Sequence, residues 1–115
     1  MSAGRHNIEI EQGATWLLLL RYRSEPDAPV DLTGATARMQ VRATYDAEVA
    51  IVSLTTENGR ISIDGQAGEI ALSIEAGATE ELPAGLYVYD VEVVRGESVT
   101  RLLSGRAKVS PEVTR

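Results

Sequence analysis

Apolar and polar residues alternate with period two along most of this chain, and the alternation is clearest between Leu82 and Arg95. Pro83 and Gly85 break any preceding structure there. Tyr87, Tyr89, Val91 and Val93 then share one face, and Val88, Asp90 and Glu92 share the other, which predicts a strand with a core side and a wetter side. The same pattern predicts further strands. Residues 6–12 place Ile8 and Ile10 inward at a sheet edge, and residues 35–43 place Ala37, Met39 and Val41 inward with Arg38 and Arg42 in water. Val52 and Leu54 mark a strand over residues 49–56, Ile61 and Ile63 one over 60–64, and Ile70, Leu72 and Ile74 one over 69–74. Leu103, Gly105, Ala107 and Val109 face inward from a last strand over 98–109, which Pro111 ends. Turn signals at Glu57-Asn58-Gly59, Asp64 to Gly68 and Arg95-Gly96-Glu97 separate these segments. Helical material is confined to Glu75–Glu81, at most one short turn near residues 76–81, as a connection between sheets. These elements predict an all-β, antiparallel, immunoglobulin-like sandwich of about seven or eight strands.

The second predicted strand, residues 15–23, departs from simple alternation. Trp16, Leu18, Leu20 and Tyr22 form one face, while Leu17 and Leu19 share the other with Arg21 and Arg23. Guanidinium groups are seldom buried without partners, so the arginine face is assigned to the outside and the leucines go with it. Two outward leucines bordered by arginines have the apolar centre and charged rim of a protein interface. Leu17, Leu19, Arg21 and Arg23 are therefore the candidate partner-binding residues. Covering by the chain's own loop at Pro26 to Pro29 is the competing expectation.

Composition narrows the classes of function. A chain of 115 residues forms one domain, with short ends at 1–5 and 112–115 expected to be mobile. The absence of cysteine removes disulfides and zinc–thiolate sites together, which favours a reducing compartment. No apolar leader precedes Ile8, and the run Trp16–Leu20 is far too short to span a bilayer. The net charge of −6 and the scattered arginines oppose binding to nucleic acid.

Candidate chemistry is sparse. His6, the sole histidine, sits between Arg5 and Asn7 with no orienting partner in sequence, as a solvated residue would. Glu80-Glu81 and Asp90 with Glu92 read as solvated carboxylates of ordinary pKa, not an acid/base pair. Asp31 is expected to cap its own turn at Val30-Asp31-Leu32-Thr33-Gly34. A calcium site built on Asp31, Asp46 or Asp64 lacks the dense Asp-x-Asp spacing of known loops. Tyr87 and Tyr89 belong to the core before they belong to a sugar-binding platform. The Pro-Ala-Gly lead-in matches the corner where sandwich domains tie a tyrosine hydroxyl back to the chain. No catalytic residue, cofactor or metal is expected.

The motif order resembles a family of small tailed-bacteriophage virion proteins, similar to the N-terminal domain of phage upper baseplate proteins. The residues that carry the resemblance begin with Ile8-Glu9-Ile10-Glu11-Gln12-Gly13, Thr15-Trp16 and Val30-Asp31-Leu32-Thr33-Gly34-Ala35-Thr36-Ala37. The Gly59 and Gly68 hairpin, Leu82 to Asp90, and Gly105-Arg106-Ala107-Lys108-Val109-Ser110-Pro111 complete it. The resemblance implies a β-sandwich that attaches to the tail. The chain stops after the sandwich, with no coiled coil or receptor-binding extension, so a connector, adaptor or decoration role is expected in place of receptor carrying. It further implies a non-enzymatic virion protein assembled in the host cytoplasm, with other virion proteins and copies of itself as partners. A capsid decoration protein and a carbohydrate-binding module using Tyr87, Tyr89 or Trp16 are the alternatives.

Overall fold

The period-two segments become strands in the computed structural model, which describes residues 4–24 and 28–114. In chain order these are β1 (Gly4–Arg5), β2 (Ile8–Glu11), β3 (Trp16–Arg21), β4 (Arg23–Ser24), β5 (Ala28–Pro29), β6 (Thr36–Arg42) and β7 (Ala50–Thr55). They continue with β8 (Ile61–Asp64), β9 (Glu69–Ile74), the single helical turn α1 (Ala76–Thr79), β10 (Gly85–Arg95) and β11 (Ser98–Ser110). The larger sheet runs β1-β11-β10-β6-β7, with β2 also on β11; the smaller runs β3-β9-β8. The chain crosses between the sheets in groups, with β1, β2, β6, β7, β10 and β11 in the larger and β3, β8 and β9 in the smaller, and α1 carries it between sheets as expected. No helix among the described residues is long and apolar enough to cross a membrane.

The inward residues of both sheets merge into one core. Met39, Val41, Leu54, Val91, Val93 and Val109 from the larger sheet meet Ile61, Ile70, Leu72 and Ile74 from the smaller. Three core members lie in connections that alternation does not reach. Leu32 closes one end, its N–H donating to the Gly65 carbonyl at 2.7 Å. Thr79 and Leu82 close the other, where the fully buried Thr79 hydroxyl donates to the Ala14 carbonyl at 2.8 Å. Gln12 ties the same end together, donating to the Leu82 carbonyl and accepting from the Glu112 N–H.

The pairing differs from an all-antiparallel sheet at one edge. β1 and β2 run parallel to β11, with Gly4 opposite Leu103 and Ile8 opposite Ala107. Gly105 makes this possible, because a Cβ there would lie 2.2 Å from the His6 carbonyl oxygen. Of the ends expected to be mobile, Gly4 and Arg5 are therefore paired to a strand, while 1–3 and 115 lie outside the described residues. A bulge adds a second departure. Val91 faces Leu103 but Glu92 faces Arg101, so Leu102 is the extra residue and both leucines pack against the core. The bulge returns Arg101 to the wet face, where strict alternation from Leu103 would have sent it inward.

At the entrance to β10 the Tyr87 hydroxyl donates to the Pro83 carbonyl at 2.7 Å, the expected corner. Gly85 lies inside that loop with φ +155°, and a Cβ would come no closer than 3.5 Å to the Tyr87 hydroxyl. The requirement for glycine is thus conformational and not steric. Gly85→Val should cost about 1–3 kcal/mol, read as a lower melting temperature; an unchanged melting temperature would remove this explanation of the glycine.

Candidate interaction surface

β3 is the edge strand of the smaller sheet, and its two faces meet different environments. Trp16 is buried, and Leu18, Leu20 and Tyr22 pack against the core, as the alternation predicts. Leu17 and Leu19 project outward with 73% and 55% of their surface exposed. Trp16, Leu18 and Leu20 beside them are buried or partly buried, and the described residues leave these two leucines largely uncovered. Pro26 and Asp27, in the loop proposed to cover them, lie outside the described residues.

The outer face around the leucines is low and balanced in charge. Leu17 lies opposite Ser73 and Leu19 opposite Ala71, with Ser62 of β8 beyond Ala71. Small side chains there leave the leucines as the raised features. At one end Arg21 donates to Glu69 at 3.2 Å, and at the other Arg60 forms a two-pronged pair with Glu75, both contacts at 3.1 Å. The Arg60 hydrogen bonds hold the exposed Glu75 carboxyl below the usual carboxylate range. A shallow depression beside Leu17, lined by Thr15, Asn58, Arg60, Ser73 and Glu75, completes this side.

Arg23 lies beyond this strand. β3 ends at Arg21, and Arg23 opens β4, which pairs with β5 in a separate two-stranded sheet. The break follows from Tyr22, whose N–H donates to the Gly68 carbonyl while its own carbonyl accepts from Val30. The Tyr22 ring is also engaged by Arg95 of β10, 5.9 Å from its centre. On β3 itself the candidate surface comprises Leu17, Leu19 and Arg21.

The other singled-out residues are used locally. Asp31 accepts from the N–H and hydroxyl of Thr33, at 2.9 and 2.6 Å, and these bonds lower its pKa. Asp46 accepts from the Thr44 hydroxyl and Asp64 from the Ala67 N–H, and no three metal-ligating side chains come together among the described residues. His6 contributes its backbone: the N–H donates to Ser104 and the carbonyl accepts from the Tyr89 hydroxyl. Burial pushes the Tyr89 phenol up to about 12, so it stays a neutral donor. Trp16 and Tyr89 are buried and Tyr87 is partly buried, so the three rings do not form an exposed sugar platform; the exposed ring is Tyr45.

An open groove of about 640 Å³ crosses the outer face of the larger sheet, lined among others by Arg38, Arg42, Arg101, Asp90 and Glu92. Four of its charges pair, Arg38 with Glu92 at 2.8 Å and Arg101 with Asp90 at 3.3 Å, while Arg42 donates to the Ala47 carbonyl and the Gln40 side chain. The expectation of ordinary carboxylates fails at Asp90. Burial on the central strand β10 raises its pKa first, and the Glu92 charge raises it further, against Arg101, Arg42 and Arg38. The folded state thus holds this proton more tightly than the unfolded chain. The stability that Asp90 contributes is present below its unfolded pKa and is lost as pH rises through its folded pKa. Asp90→Asn should accordingly keep or raise the melting temperature at neutral pH and reduce its dependence on pH over that window. A lower melting temperature would mean that the Arg101 pair outweighs desolvation.

No family model and no curated protein matches this chain.

Proposed function

We propose that this chain is a non-enzymatic structural protein of a tailed-phage particle, an adaptor or connector in the tail, baseplate or fibre-attachment region. It is assembled in the host cytoplasm and works through contacts with other virion proteins and with copies of itself. The observation that carries the reading is the exposed pair Leu17 and Leu19 on an edge strand, between the Arg21–Glu69 and Arg60–Glu75 ion pairs. A solvated edge strand is ordinarily blunted by charge, and one that raises leucines instead is suited to a protein neighbour. The motif order along the chain, from Ile8-Glu9-Ile10-Glu11 to Gly105-Arg106-Ala107-Lys108-Val109, supports placing that neighbour in a phage particle.

The test is to ask where an epitope-tagged copy is found in purified particles by immunogold electron microscopy. Label at the tail is the expected result. Label spread over the head would replace the adaptor reading with capsid decoration, and absence from particles would overturn the virion assignment.

A further inference from the structure

We infer that the free edge of β3 takes up β3 of a second copy of this chain, antiparallel about a two-fold axis, with Leu17 of each copy opposite Leu19 of the other. The inference rests on the assembly role proposed above and names the partner at that surface.

The edge is open for a topological reason. In an immunoglobulin-type sandwich the first strand can lie beside the second, in the sheet that here holds β3, β9 and β8. In this chain β1 and β2 lie instead on β11, and β3 pairs only with β9 among the described residues. The hydrogen-bond phase shows which groups are left over. Tyr22 donates to Gly68, and Ser73 donates away from β3 to Arg60, both at 2.8 Å. Bonding alternates along an antiparallel strand, so Leu20, Leu18 and Trp16 bond to β9 while the N–H and C=O groups of Leu17, Leu19 and Arg21 point outward. The residues with exposed side chains thus also carry the unpaired backbone.

The opposite treatment of β7 makes this edge distinctive. There the outward N–H of Thr55 donates to the Asn58 side chain at 3.0 Å, and the outward carbonyl of Ser53 accepts from Asn58 and Arg60 at 3.1 and 3.2 Å. Those side chains occupy the sites a new strand would need. No side chain among the described residues bonds to the backbone of Leu17, Leu19 or Arg21. The inward face agrees: Leu18 and Leu20 are only partly buried, whereas Ile70, Leu72 and Ile74 on the neighbouring β9 are fully buried. A strand laid beside β3 would cover both.

The segment is complementary to itself. Antiparallel pairing that sets Leu17 against Leu19 brings four leucines together, and it sets Arg21 of one copy opposite Thr15 of the other. Beyond Thr15 stands Glu75, which follows Ile74, the partner of Trp16, and whose side chain remains 64% exposed despite Arg60. Arg21 can reach it. Centring the axis on Leu19 would place Leu17 against Arg21 and separate the leucines, so the first register is favoured.

The chain has no cysteine, which permits a direct test of register. Leu17→Cys and Leu19→Cys are made singly in the full chain, with melting curves to confirm folding, and oxidised alone and as an equal mixture. Opposed residues lie about 5.5 Å apart between Cα atoms, within disulfide range, whereas equal-numbered cysteines would lie diagonally at about 7–8 Å. The mixture should give roughly tenfold more cross-linked dimer than either variant alone. Sedimentation of the unmodified chain should show a concentration-dependent dimer. Cross-linking strongest for Leu19→Cys alone would overturn the register. A chain that stays monomeric and uncrosslinked would overturn the second-copy inference, while tail label in the particle experiment would leave the assembly reading standing.

Discussion

Leu72→Ala should lower the melting temperature by roughly 8–20 °C, the equivalent of about 2–5 kcal/mol for emptying a fully buried leucine site. Leu72 is the middle inward residue of β9, with Leu18 of β3 on one side and Ile61 of β8 on the other, and none of its surface is exposed. Strands flank it on both sides and the larger sheet lies below, so neighbours cannot collapse far into the space left behind. A loss of that size is a large part of the roughly 5–15 kcal/mol that holds a domain folded. Thermal or urea unfolding measures it, and a shift of only a degree or two would mean that the sheets pack more loosely than the buried core implies.

Gly105→Ala should cost about 3 kcal/mol, or roughly 12 °C in melting temperature, by forcing apart the parallel edge that joins the two ends of the chain. The added Cβ would meet the His6 carbonyl oxygen at 2.2 Å and its carbon at 2.8 Å, and both are backbone atoms that no rotamer change can move. Displacing His6 would also disturb its bonds to Ser104 and to the Tyr89 hydroxyl. Hydrogen exchange would locate the damage, with β1 and β2 losing protection ahead of β9. A variant that melts like the parent would show that the edge can shift outward at little cost.

Most of the sandwich is legible in the sequence because its core faces follow strict alternation. Ile70-Leu72-Ile74 and Ala37-Met39-Val41 state their facing without help. What alternation misses are features set by contacts between distant segments. The parallel pairing of Ile8 and Ile10 with β11 depends on where the last strand lies, and the role of Gly105 appears only once His6 is beside it. The bulge at Leu102 interrupts the period inside a single strand. Thr79 reads as a polar residue of a short helical connection, yet it is fully buried because its hydroxyl finds the Ala14 carbonyl as a hydrogen-bond acceptor. At the candidate surface the outward facing of Leu17 and Leu19 was legible from the arginine beside them. The place of Arg23 was not, since the strand breaks at Tyr22 through bonds to Gly68 and Val30.

The central claim is that β3 offers its outer face and edge to another protein, and the double variant Leu17→Ser with Leu19→Ser tests it most directly. Serine at exposed strand positions removes the apolar patch and leaves the core untouched, so the melting temperature should move by no more than the few degrees typical of surface changes. Sedimentation velocity of parent and variant side by side should then show association in the parent alone. A variant that unfolds would place the leucines in the core, and one that folds and associates like the parent would place the interface elsewhere.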